Sequence, residues 1–174
     1  MLPRAIAAAL QFPKQETADF TATKFDSSED KAKFGNHLLR FIAEDCPPAL
    51  WTKIFYNRLS NIFSNIAHYD SHGFWRTWFE TTADQICFLE NIAQHPCWGD
   101  PAFTYSDVER LIKARVIKSG VIAWKHKMLA GERKKNDLAE LARLKALYEP
   151  GTGAAFIPDP VAASPTMTQI DLFS

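Results

Sequence analysis

The sequence predicts a mainly α protein, a compact bundle of about five helices with room for one short N-terminal strand and an extended C-terminal tail. Three observations carry this. Apolar residues recur at three- and four-residue steps through most of residues 28–149. Ser or Asp stands where three of the periodic stretches begin, at Ser27-Ser28, Asp70-Ser71 and Ser106. Proline and glycine cluster where the stretches end, at 47–48, 95–101 and from 150 on. The chain of 174 residues suits one domain plus a tail. With 47% hydrophobic residues, ten Pro and seven Gly without a period, collagen, a coiled-coil rod and a wholly disordered chain are excluded.

Residues 1–28 give mixed signals. Ala5–Leu10 reads as a short helix or an arm. Asp19–Phe25 alternates Thr and Phe across two faces, which predicts a short strand. Ser27 or Ser28 then caps a helix carrying Glu29 and Asp30 in its first turn and Phe34, Leu38, Phe41 and Ile42 on its inner face. Pro47-Pro48 stops it. A second helix is expected from near Pro48 to Ala67–Tyr69, with Leu50, Ile54, Leu59, Ile62, Phe63 and Ile66 inward. Asp70-Ser71 caps a third, whose stripe runs from Phe74, Trp75, Trp78 and Phe79 to Ile92, and which ends before Pro96. That aromatic stripe reads as core. Ser106 and Glu109 have capping-box spacing and open a fourth helix, with a weak point at Gly120 and an end near Leu129. Leu138–Tyr148 is the last.

The helical domain is thus 1–149, and 150–174 is a flexible tail. The tail holds four of the ten prolines and no Lys or Arg, and composition of this kind cannot bury enough surface to fold alone. Its Gln169-Ile170-Asp171-Leu172-Phe173 breaks that trend by placing three large apolar groups on a polar leash. A few such anchors can dock in a preformed groove.

This pentapeptide resembles the motif by which bacterial proteins dock on the replicative sliding clamp, the β subunit of DNA polymerase III. The pattern is Gln, an aliphatic residue (usually Leu), Ser or Asp, Leu, Phe; only Ile170 departs from its commonest form. The resemblance implies that Gln169 is a polar anchor, that Leu172 and Phe173 fill a hydrophobic pocket on the clamp, that Ile170 occupies a shallower site and that Asp171 shapes the backbone. It also implies a bacterial, plasmid-borne or phage-borne accessory protein of DNA replication or repair. It covers five residues and carries nothing about 1–149. The competing reading of the same residues is a terminal strand or cap folded back on the core.

Net charge is zero, from 20 basic and 20 acidic side chains, which argues against non-specific binding of nucleic acid or membrane by the whole surface. The charge is uneven, however. Residues 106–149 carry eleven basic and six acidic groups, a local +5. Arg110, Lys113, Lys125, Lys127, Arg133, Lys134 and Lys135 are therefore candidate nucleic-acid contacts, and a helical DNA-binding regulator using this segment is an alternative function. A second alternative is a metal-dependent enzyme around His68, Asp70 and His72, since the two histidines stand four apart; Asp70 is equally a natural helix cap. Neither H-E-x-x-H, nor a nucleophile elbow, nor a phosphate-binding glycine loop is present, so an enzyme is not favoured and no cofactor or metal is expected. Cys46, Cys87 and Cys97 cannot all pair and form no C-x-x-C, which predicts reduced thiols and a cytoplasmic protein. The apolar run Ala5–Leu10 is too short for a secretory leader, and no stretch reaches a membrane span.

Overall fold

The computed structural model describes residues 1–63 and 70–149, in two units, Met1–Arg133 and the stretch from Lys134 on. The class is mainly α, with seven α-helices and no strand among the described residues. They are α1 (Arg4–Gln11), α2 (Ser28–Ala43), α3 (Lys53–Ile62), α4 (Ser71–Trp78), α5 (Thr82–Gln94), α6 (Ser106–Ser119) and α7 (Val121–Tyr148). None is long and apolar enough to cross a membrane.

In the first unit, α2 lies at the centre. Ser27 starts it with a full capping box, accepting from the Asp30 amide while the Asp30 carboxylate accepts from the Ser27 amide. Its inner residues Leu38, Phe41 and Ile42 are fully buried, beside Leu10 of α1, Phe88 of α5, and Val108, Ile112 and Val116 of α6. At its C-terminus Asp45 and Cys46 take left-handed conformations (φ 71° and 53°), and the Cys46 amide reaches back to the Phe41 carbonyl at 2.8 Å. The Asp45 carboxylate then receives the Lys125 ammonium at 2.6 Å. Asp is among the few side chains that tolerate this backbone.

The aromatic stripe is core, as its spacing predicts. Phe41 and Phe79 meet edge to face at 5.0 Å, Phe79 and Phe88 at 4.7 Å, and Trp51 stacks on Phe74 at 5.7 Å. Such pairs contribute about 0.5–1.5 kcal/mol each beyond the area that they bury. The α1 helix is held by Arg115 of α6, whose guanidinium donates to the carbonyls of Ala9, Phe12 and Pro13. These oxygens have no partner within the helix, and one fork supplies several donors at once.

Several expectations are corrected. Residues 19–25 form no strand: Thr17–Asp19 is a 3-10 turn, and the Thr23 hydroxyl accepts from the amides of Phe25 and Asp26. Alternation alone makes no strand when a threonine closes a local turn. The second helix starts at Lys53 rather than Pro48, capped by Thr52, and Ile54 faces solvent while Phe55 and Leu59 turn inward. The expected third helix is two. Thr81 breaks it by forming a capping box with Asp84, which starts α5. At Gly120 (φ 71°) a left-handed residue separates α6 from α7, and α7 then continues unbroken through 130–137.

Candidate functional site

The clamp-like pentapeptide Gln169, Ile170, Asp171, Leu172 and Phe173 lies outside the described residues, as does His68.

The basic candidates divide sharply. Lys125 is buried, its ammonium shared by Asp45 and Gln85, so it is corrected from a nucleic-acid contact to a core ion pair. Lys113 is half-buried and donates to the His95 carbonyl at 2.9 Å. Arg110 on α6, and Lys127, Arg133, Lys134 and Lys135 on α7, are exposed. The separation is a matter of helical phase, since Lys125 follows Val121 at a four-residue step on the inward face of α7.

Asp70 is the N-cap of α4. Its carboxylate accepts from the amides of His72 and Gly73, both at 2.9 Å, and these bonds hold the carboxyl below its usual range. His72 is exposed. No group of three potential metal-ligating side chains occurs among the described residues.

The described residues also form a cleft of about 490 Å³ in the first unit, lined by Asp26, Arg58, Trp98, Tyr105 and Glu109 among others. Its wall is the loop from His95 to Tyr105. Gly99 has φ 104°, and a Cβ there would stand 2.8 Å from Thr104, so only glycine fits. The Ser106 hydroxyl donates to the Gly99 carbonyl at 2.8 Å; Ser106 is thus the first helical residue rather than the cap that its spacing predicts. The base of the loop is fixed by Lys31. This fully buried ammonium donates to the carbonyls of Pro101 and Thr104, both at 2.8 Å, and pairs with Asp107 at 3.1 Å. On the opposite wall, Arg58 binds Asp26 at 3.1 Å and the Asp30 carbonyl at 3.2 Å.

Glu109 and His95 meet at 3.2 Å, and both are largely buried. Burial pushes the Glu109 carboxyl up to about 7, against the opposing pull of the Arg110 guanidinium and with a smaller push from the Asp107 carboxylate. Burial, then the nearby Lys113 ammonium, pulls the His95 imidazole down. Both shifts favour the neutral forms. That arrangement can store or pass a proton. It lacks an activated nucleophile: the Cys97 thiol bonds to the His95 carbonyl, and burial raises its pKa. Sequence spacing hides the pair, because a capping-box reading assigns Glu109 to a helix end.

No protein-family model, no curated protein and no solved structure matches the chain.

Proposed function

We propose that this chain is an accessory protein of bacterial DNA replication or repair, or one carried by a plasmid or phage to engage the host replisome, and that it docks on the sliding clamp through Gln169–Phe173. The observation that carries this is the pentapeptide itself, with four of five positions in the commonest form and a conservative Ile170 at the other. The first unit supports the reading by having a continuous core of its own, from Leu2 to Val121. Docking would concentrate that unit at the clamp without any further contact, as tethering does in general. Such a partner places the chain in the cytoplasm, in keeping with its three free thiols.

The test is a titration of full-length chain against purified clamp. The wild type binds; Gln169→Ala with Leu172→Ala and Phe173→Ala weakens binding at least about thirtyfold, as loss of anchors worth ~2 kcal/mol or more in total requires. Equal binding by the triple variant refutes the proposal.

A second reading rests on the exposed cations of α7, Lys127, Arg133, Lys134 and Lys135. It takes the chain as a duplex-DNA regulator. Salt-dependent duplex affinity that survives removal of 150–174 would favour it.

A further inference from the structure

A basic groove follows the outer face of α2, far in sequence from the cations of α6 and α7. Lys33, His37 and Arg40 stand at i, i+4 and i+7, which places them in one line along the helix. With Lys14, Asn36, Gln11 and Phe12 they surround a depression of about 570 Å³. A second depression of about 190 Å³ shares Lys33 and His37 with the first and is lined also by Arg58 and Ile54. No carboxylate lines either depression. Phe12 is 58% exposed at one end and Ile54 76% exposed at the other.

We propose that this groove binds a single-stranded nucleic acid, with successive phosphates on Lys14, Arg40 and Lys33 and a base stacked on Phe12.

The continuity of two depressions through Lys33 and His37 fits a polymer better than a single anion. An exposed aromatic ring beside a line of cations is the combination that single strands use: charge tracks the backbone and the ring takes any base. The cations are available. Lys33 pairs with Glu29 at 2.7 Å and Arg40 with Glu44 at 2.6 Å, but these are exposed one-turn pairs, which hold their partners weakly in water. A phosphate can replace the carboxylate in each. The groove is prebuilt, because its floor is fixed from behind. Asn36 exchanges two hydrogen bonds with the Gln15 backbone, at 2.9 and 3.0 Å, and His37 bonds the Leu50 carbonyl at 3.2 Å. The wall carrying Phe12 is held by the Arg115 fork. The inference is independent of clamp docking.

The experiment measures binding of a fluorescein-labelled oligothymidylate to the full chain by anisotropy at several salt concentrations. Three contacted phosphates give a log–log salt slope of about −2. Lys14→Ala with Lys33→Ala and Arg40→Ala should weaken binding at least tenfold and flatten that slope. Phe12→Ala should weaken it about fivefold or more while leaving the slope unchanged, as loss of stacking does. Lys127→Ala with Lys134→Ala and Lys135→Ala should leave it as in the wild type. All altered side chains in these variants are exposed, and an unchanged thermal melt verifies the fold. The proposal fails if the wild type does not bind, if the α2 variant binds as tightly as wild type, or if the loss appears in the α7 variant instead. It also fails if Phe12→Ala is silent, or if polyglutamate of matched length competes as well as unlabelled oligonucleotide, because the groove would then read charge alone.

Discussion

Replacing Lys31 by Met removes an ammonium from the interior and leaves its stem. In the wild type that ammonium is wholly buried and reaches the carbonyls of Pro101 and Thr104 and both oxygens of Asp107. Hydrogen bonds to a charged donor contribute roughly 1.5–3 kcal/mol each, and breaking one side of a buried pair costs about 3–5 kcal/mol. Asp107 retains acceptor bonds from the Thr21 amide at 3.0 Å and the Val108 amide at 2.9 Å. Its carboxylate is therefore not abandoned, and the lower end of that range applies, about 3 kcal/mol. Out of a total stability of roughly 5–15 kcal/mol this is a large fraction, and it lowers Tm by about 6–12 °C for a chain of this size. Urea unfolding followed by circular dichroism gives the midpoint and slope; the midpoint should fall with the slope unchanged. A cycle with Asp107→Asn should return a coupling of about 1–2 kcal/mol. A Lys31→Met variant within about 0.5 kcal/mol of wild type, or a cycle without coupling, would refute the claim that this ion holds the 95–105 loop to α2.

Two further predictions concern titration. The Glu109 carboxyl is raised to about 7 from an ordinary 4.5, so its neutral form stabilises the fold fully below 4.5 and that contribution is lost as pH rises through about 7. His95 works in the opposite sense, since a lowered pKa adds stability as pH rises through 6.5. Glu109→Gln isolates the first effect: relative to wild type it should gain on the order of 1–2 kcal/mol between pH 5 and pH 8, read from paired melts, and a constant difference would contradict the assignment. Among the thiols, Cys87 is exposed, Cys46 is pushed up to about 12 by burial and Cys97 is raised by burial. Ellman's reagent should find one fast thiol in the native chain and three after denaturation; two fast thiols would contradict the burial of Cys46 and Cys97.

The helical class was legible because it rests on local periodicity and caps. Ser27 and Asp70 start helices where the sequence places them. The break at Thr81 was written in Thr81-Thr-Ala-Asp84 but masked by an apolar stripe that continues on both sides of it. The strand at 19–25 failed because alternation says nothing about a partner, and none is there among the described residues. Charge was least legible. Lys31 meets Asp107 across 76 positions and Lys125 meets Asp45 across 80, and only the fold brings them together. Segment totals misled in the same way. Residues 1–45 hold six basic and seven acidic groups, which conceals that α2 turns Lys33, His37 and Arg40 to one side. Glu109 and His95 escaped for a related reason: their protonation follows from desolvation, which no spacing encodes.

Of the five tryptophans, Trp51, Trp75, Trp78 and Trp124 are half-buried, while Trp98 is 81% exposed beside the cleft. The chain thus carries an optical label of its own. Iodide should quench the long-wavelength shoulder of its emission, which arises from the solvated indole, and leave the shorter-wavelength light of the other four. Any molecule settling against Arg58 and Glu109 should announce itself as a blue shift and a loss of that quenching, without dye or cysteine chemistry.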